Sequence, residues 1–367
     1  MGDLPDRKAM LIDRSLLLLL LAVLIQLWGL GAVYGTLAPS GRWAHFLARQ
    51  SLWAAVSFMV LLTVWRVPFW VLLRHAPAAG VAALAVLLLL PWFGTRINGM
   101  AGWYQCLHWT VQPSELVKGF FLLFLTWALT RTAGRALWAA PVIAAYCFLI
   151  LLQPDWGTAF VYALGGLGAL YFGRASKRLL GLFAAGGALG MAAVAAAHPY
   201  MLRRIASFLN PALDPGGAGW HQHQFAIAAA RGGWCGVKGE MAAWSAGFLP
   251  LSHNDSIYAA MTEMLGVLGA GLLLFLFAVW FWQWFRLAEI CRAPERKLCI
   301  EASAAMVLLQ TLLHIFVNLA LVPPTGITLP LVSYGGSSML GTMLMLAISL
   351  SAAREERLTL PEPTRRS

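Results

Sequence analysis

The chain has 367 residues, of which 60% are hydrophobic and only 11% charged, and its net charge is +11. A soluble domain carries about 25% charged residues, so a water-soluble globule is excluded. Many apolar runs approach the roughly 20 residues that cross about 30 Å of hydrocarbon, and they lack the alternation of a barrel. Helices are then the only way to satisfy the backbone in lipid, which predicts an all-α polytopic integral membrane protein.

In chain order, about ten spans are predicted, at 15–34, 51–67, 79–93, 116–130, 138–152, 157–173, 179–197, 256–285, 300–322 and 333–353. The first follows Arg7, Lys8 and Arg14 as a signal peptide would. It is longer than a typical h-region, and the cleavage-like Thr36-Leu37-Ala38 runs into Pro39, so it reads as a retained span. With the N-terminus inside, 18 of the 26 basic residues fall on inner segments or inner span ends, seven on outer segments, and Lys118 near an outer span end. This distribution fits the positive-inside rule and puts both termini in the cytoplasm. The positive charge is thus topological, and no nucleic-acid partner is needed to explain it. The five cysteines (Cys106, Cys147, Cys235, Cys291, Cys299) have no metal-site spacing and form no even disulfide framework, which leaves packing.

One outer segment, 198–255, interrupts the hydropathy. It holds turn chemistry at Asn210-Pro211 and Asp214-Pro215-Gly216-Gly217, a Gly232-Gly233 pair, and apolar stretches able to re-enter the membrane. The reading is a single transmembrane domain over 1–353, with 198–255 as its large extracytoplasmic loop, and a disordered cytoplasmic tail over 354–367.

Acidic residues are scarce, so their placement informs. Nine of fifteen lie on the inner side; Glu115, Asp155, Asp214, Glu240, Asp255 and Glu263 lie on outer segments or outer span ends. Glu115 and Lys118 stand i, i+3 on one helical face, as a structural ion pair or as a polar site within the membrane. Asp255 sits at the mouth of the eighth span. It is either an N-cap or, if burial raises its pKa, a general base, and Asp155 poses the same choice at the sixth. Arg203, Arg204, Arg231 and Lys238 suit a lipid phosphate or pyrophosphate, or generic headgroups. The run Ser333-Tyr334-Gly335-Gly336-Ser337-Ser338 offers backbone N–H groups and hydroxyls to an anion, or simply permits close packing. His221, His223 and His253 have no standard metal spacing and read as hydrogen-bonding or solvated groups.

These pieces form an ordered series. It runs through Gln112-Pro113-Ser114-Glu115-Leu116-Val117-Lys118, Gln153-Pro154-Asp155-Trp156-Gly157-Thr158-Ala159, Arg204-Ile205 with Phe208-Leu209-Asn210-Pro211, and Trp220 with Gln224 and Gly232-Gly233. It continues with Leu249-Pro250, His253 and Asp255, and ends in Pro324-Thr325-Gly326-Ile327-Thr328-Leu329-Pro330-Leu331-Val332-Ser333-Tyr334-Gly335-Gly336-Ser337-Ser338. Over nearly its whole length the chain resembles the shape, elongation, division and sporulation family, the group that contains RodA and FtsW. That resemblance implies a peptidoglycan glycosyltransferase that polymerises lipid II on the outer face of the bacterial cytoplasmic membrane. It implies Asp255 as the catalytic carboxylate, and a class B penicillin-binding protein, a transpeptidase, as partner among other elongation or division proteins. Expected to contact pyrophosphate or sugar are Glu115, Lys118, Asp155, Arg203, Arg204, Gln224, Arg231, Ser333 and Ser337, with Mg or Mn as a conceivable assistant although no ligand set is legible. Around Asp255 the family's usual Thr-Asp-Phe-Ile-Phe is replaced by Asn254-Asp255-Ser256-Ile257-Tyr258. Trp244, Ser245 and Met264 depart from the pattern too, which points to a divergent paralogue. A lipid II transporter, a ligase acting on other polyprenyl-linked sugars and a non-catalytic scaffold are the competing classes.

Overall fold

The computed structural model describes residues 7–97, 100–107, 109–131, 136–197, 199–210, 218–237, 242–249 and 251–360. The turn residues Pro211, Asp214 and Pro215, together with Lys238, Glu240 and Pro250, lie outside these. The described chain is helical except for a small sheet and several connections. The long helices are α1 (Arg7–Leu37), α2 (Trp43–Arg66), α3 (Phe69–Phe93), α8 (Lys177–Ala197), α12 (Ile257–Ile290), α13 (Pro294–Asn318) and α14 (Gly336–Thr359). Each is long and apolar enough to cross a membrane. Between them come α4 (Pro113–Leu116), α5 (Lys118–Arg131), α6 (Ala136–Leu151) and α7 (Trp156–Phe172), then α9 (Pro199–Leu209), α10 (Ala218–Gly232) and α11 (Ala243–Phe248). Each predicted span falls on a helix, with ends shifted by up to ten residues (α3 starts at Phe69 rather than 79), and the protein is a multi-pass membrane protein.

Local sequence explains several boundaries. Pro68 precedes α3, and Pro113 and Pro294 occupy the first turns of α4 and α13, where the missing N–H costs nothing. Pro77, Pro91 and Pro141 sit inside helices, as membrane helices tolerate. In the core α1 packs along α12, α2 along α14, and α13 against α7 and α12. Trp280 and Trp284 are fully buried there, and the Trp280 indole donates to Leu18 O at 3.2 Å.

Three features differ from the sequence reading. The eighth span is not one helix. Gly266 (φ 69°) breaks α12, and the backbone of 233–237 enters the gap. There Val267 N donates to Gly233 O (2.9 Å), Leu268 N to Trp234 O (3.1 Å), and Val237 N to Glu263 O (3.1 Å). The freed helical groups are thus paired by another chain segment, which is what a break inside a membrane requires. The outer segment after α3 folds into an antiparallel sheet of β1 (Thr95–Ile97), β2 (Met100–Cys106) and β3 (Trp109–Val111), in the order β1-β2-β3. Finally, the tail is not disordered from 354 onward, because α14 continues to Thr359. Glu356 is buried, accepting from Arg292 N (2.8 Å) and Arg296 Nη1 (2.9 Å), and Arg7 stands 3.6 Å away. Three partners for one carboxylate hold the helix end against α13 and α1.

The segment 319–335, between α13 and α14, has no helix or strand and crosses one end of the bundle against α1. A Cβ on Gly29 would lie 2.7 Å from Val332 Cα and 2.8 Å from Leu331 O, so α1 admits only glycine at this crossing. Gly29→Ala is expected to destabilise the protein by about 1–3 kcal/mol, the usual cost of overpacking. A Gly31→Ala change, with nothing within 4 Å of the added methyl, should leave the melting temperature in detergent unchanged.

Candidate functional site

A cavity of about 200 Å³ opens at the end of the bundle crossed by 319–335. Its lining comes from six places: Arg49 and Trp53 of α2, the sheet, the 112–115 turn, the start of α7, Asn254 before α12, and 325–328 with 334–338. The chain reaches this spot for stated reasons. Gln112 N donates to Ser337 Oγ (2.9 Å), tying the start of α4 to α14. Asp155 caps α7, accepting from Thr158 N (3.0 Å) through one oxygen and from Gln112 Nε2 (3.0 Å) through the other. Burial raises the Asp155 pKa, and the Thr158 hydrogen bonds pull it back.

Glu115 lines the cavity, and Lys118 lies just beneath it, almost inaccessible. Lys118 Nζ donates to Glu115 Oε1 (2.6 Å) and to Gln310 Oε1 (2.7 Å). Gln310 Nε2 in turn donates to Thr328 O (3.2 Å). The pair is therefore both a structural tie between α5, α13 and the 319–335 strap and a charged floor to the cavity.

Asp255 lies in the turn before α12, at the wall formed by Asn254 and Gly326. Its Oδ2 is 3.9 Å from where a Cβ of Gly326 would sit. The residue in the N-cap position is Ser256, with no side-chain capping bond, so the capping alternative fails for Asp255 while it holds for Asp155. The Asp255 backbone is anchored by Asn318 Nδ2 donating to its carbonyl (2.9 Å), while Oδ1 is buried with no hydrogen-bond partner among the described residues. Burial pushes its pKa up to about 6, against hydrogen bonds from its own backbone amide and the Ser256 hydroxyl and the charge of Arg204, which draw it down. A carboxylate of that pKa with one oxygen free is suited to accept a proton near neutral pH.

The remaining predicted residues separate. Arg204 of α9 reaches the strap, Nη1 donating to Pro324 O (2.9 Å), whereas Arg203 is exposed. Ser333 is a clamp: its Oγ accepts from Leu329 N (2.8 Å) and donates to Asn254 O (2.7 Å). Gln224 and Arg231 belong to another cluster. Gln224 Oε1 accepts from Trp244 Nε1 (3.0 Å), and Arg231 lies 3.3 Å from Glu263, which also accepts from Trp244 N and from Ser245 N and Oγ. That cluster joins α10, α11 and α12 and does not line the cavity. His253 packs between Phe46 and Tyr334, with ring centroids 4.9 and 5.5 Å away, and burial lowers its pKa to about 4.

Sequence reasoning missed Arg49. It lines the cavity from α2, its guanidinium 4.7 Å from the centre of the Trp109 ring on β3. The only signal was an Arg in a predominantly apolar helix, one of the seven outer basic residues, and nothing in the sequence tied it to Asp255.

Once built, the site can be compared with known proteins. Residues 10–358 match the FtsW, RodA and SpoVE family, described as cell cycle proteins. The chain is 34% identical to the probable peptidoglycan glycosyltransferase FtsW of Nitrosococcus halophilus, the match covering 95% of each chain. It is 31% identical to stage V sporulation protein E of Bacillus subtilis over 94% of this chain and 98% of that one. Among solved structures it superposes with a TM-score of 0.77, at 27% identity and over 92% of its length, on 97% of a chain from "Structural coordination of polymerization and crosslinking by a peptidoglycan synthase complex". On the rod shape determining protein RodA of Thermus thermophilus the TM-score is 0.70, at 25% identity, covering 92% of this chain and 96% of that one.

The buried pair yields a test of its own. Lys118→Met alone leaves Glu115 as an uncompensated buried carboxylate, and a loss of about 3–5 kcal/mol is expected. Adding Glu115→Gln should recover part of it. A double-mutant cycle on thermal unfolding in detergent reads the coupling, and additive losses would contradict the pairing.

Proposed function

Since the chain belongs to the FtsW, RodA and SpoVE family, we infer that it is a peptidoglycan glycosyltransferase in cell-wall synthesis, with Asp255 as its general base. The observation that carries the assignment is the geometry of Asp255: a carboxylate held by its backbone, with one oxygen buried and unpartnered, directly behind the Asn254 and Gly326 lining of a polar cavity.

The proposed substrate is lipid II. Asp255 takes the proton from the GlcNAc 4-hydroxyl of an acceptor lipid II. The oxygen attacks the MurNAc anomeric carbon of the growing donor strand, and undecaprenyl pyrophosphate departs with the bonding electrons. Inversion at that carbon converts an α-linked pyrophosphate to a β-1,4 bond, so one base and stabilisation of the leaving group suffice. Arg49 lines the cavity and Arg204 is drawn electrostatically to Asp255, so these two are best placed to meet the developing pyrophosphate charge. Lys118 contributes through Glu115 rather than directly. Among the described residues no group of three or more metal-ligating side chains gathers, and Glu115 and Asp155 are already engaged. A divalent cation would therefore have to arrive with the pyrophosphate.

The positive-inside distribution supports placing the Asp255 end on the extracytoplasmic face of the cytoplasmic membrane. The cavity is small against the roughly 300–1,000 Å³ of ordinary ligand sites, so only the reacting end of each sugar enters. Beneath Lys118 the core of α5 is apolar (Phe121, Leu122, Leu125), which favours surface polymerisation over carriage of a polar headgroup across the membrane. The proposed partner is a class B penicillin-binding protein, a transpeptidase that crosslinks the strands made here.

Two outcomes are expected from purified protein supplied with lipid II. Glycan-strand formation, read by gel, should rise with pH around a midpoint near 6, because the base works only when Asp255 is ionised, and Asp255→Asn should abolish it. Activity of Asp255→Asn at the wild-type rate would sink the assignment. Arg49→Gln should lower the maximal rate by about 10²–10³-fold, the usual range for losing one transition-state donor, while lipid II still binds.

A further inference from the structure

A second and larger cavity, about 1,190 Å³, opens at the opposite end of the bundle, among the ends of α5 and α7 and the starts of α8 and α13. Its walls carry four cations, Arg174, Arg178, Arg292 and Lys297, against one carboxylate, Glu301. That carboxylate is already taken by Lys297 at 3.8 Å. Among the described residues no carboxylate stands within ion-pair distance of Arg174, Arg178 or Arg292. Outside the recess three cations at this end are paired, Arg296 with Glu355 and Glu356, Arg286 with Glu289 and Arg131 with Glu295, while Arg14, Arg66 and Arg354 bond uncharged oxygens. What distinguishes the recess is that it gathers around one cavity three arginines with no carboxylate partner among the described residues.

The other walls are apolar. Leu129, Phe172, Leu179 and Leu182 line the recess, and Tyr171 and Leu182 are exposed. Its outer wall is α8, a helix apolar enough to span a membrane yet with none of its spanning window buried against the rest of the protein. Such a face meets acyl chains. A backbone detail agrees: Arg174, at the turn from α7 to α8, holds φ at 57°, a left-handed conformation that glycine adopts without cost. Here a guanidinium occupies that position.

We propose that this recess binds an anionic phospholipid, its phosphate held by Arg174, Arg178 and Arg292 and its chains running along α8. Basic pockets between membrane helices on the cytoplasmic side are suited to anionic headgroups, each cation near the surface contributing about fivefold in affinity. The orientation inferred above puts this end on the cytoplasmic side, and the proposal rests on that part of the reading. A soluble phosphate would satisfy the arginines but not the exposed apolar wall, which is why a lipid is the occupant assigned.

Native mass spectrometry of the full chain in detergent tests this, with dioleoyl phosphatidylglycerol, dioleoyl phosphatidylcholine and glycerol 3-phosphate as probes. Phosphatidylglycerol adducts are expected at least tenfold more tightly held than phosphatidylcholine. Arg178→Gln alone, on an exposed residue, should weaken them about fivefold, and the Arg174→Gln/Arg178→Gln/Arg292→Gln combination about a hundredfold. The paired, exposed Arg286→Gln should bind as the wild type does. Asp255→Asn should too, which separates this result from any failure of the glycosyltransferase assignment. If the triple variant does not fold, Arg178→Gln decides alone. Equal binding of the neutral lipid, undiminished binding in the variants, or displacement of phosphatidylglycerol by millimolar glycerol 3-phosphate would each overturn the proposal.

Discussion

Everything at the Asp255 end depends on how the irregular segment 319–335 is kept satisfied. It lies across the end of a membrane bundle with no helix or strand of its own, so its carbonyls and amides must find side chains. Helices supply them. His314 bonds Ile327 O at 2.9 Å, Gln50 donates to Ser333 O at 3.0 Å, and Gln310 and Arg204 reach Thr328 and Pro324. A carbonyl only accepts, so His314 must carry its proton on Nδ1. One turn on, Asn318 Nδ2 donates to His314 O (3.0 Å) and to the Asp255 carbonyl (2.9 Å). The Asn318 Oδ1 takes Ala259 N at 3.0 Å, in the first turn of α12. Two residues one turn apart on α13 thus join the strap, through His314, to the backbone on which the Asp255 carboxylate stands, through Asn318.

The two aspartates at span mouths show how much the local sequence withholds. Both precede an apolar helix, and both invite an N-cap reading. Asp155 accepts from the amide three residues on, whereas Asp255 stands one position too early and leaves an oxygen unpaired. The difference lies in where the preceding turn directs the side chain. Ser333 and Tyr334 set that turn by bonding Asn254 O and His253 O, from nearly 80 residues away. No window around residue 255 contains the information.

Much of the frame was nonetheless legible. Hydropathy located the helices, because burial in lipid demands long apolar runs, and the charge asymmetry of their ends is written in Arg and Lys counts. The i, i+3 spacing of Glu115 and Lys118 predicted a contact that exists. What was not legible depends on pairing between distant segments. The break at Gly266 needs the 233–237 backbone to fill it, and a lone Gly in an apolar run does not announce that. Arg49 reaches the cavity because α2 packs on α14 and β3 offers Trp109. The helical continuation to Thr359 follows from Glu356 meeting Arg296, a polar stretch made helical by partners rather than by hydrophobicity.

The placement of cations around the cavity follows from what a base requires. A guanidinium in direct contact would hold Asp255 ionised but would depress its pKa and weaken it as a proton acceptor. Pairing would also close the free oxygen against a sugar hydroxyl. Arg204 avoids this by spending a donor on Pro324 O, so that its charge is felt at Asp255 while its hydrogen bond goes to the strap. Arg49 approaches from α2 over Trp109, across the cavity lining rather than on the carboxylate. In the proposed reaction positive charge would then be available where the pyrophosphate leaves, while the acceptor hydroxyl would meet the one carboxylate oxygen, Oδ1, that has no partner among the described residues. The strap therefore does two things at once: it satisfies its own backbone, and by accepting from Arg204 at Pro324 O it keeps that guanidinium's hydrogen bond off Asp255.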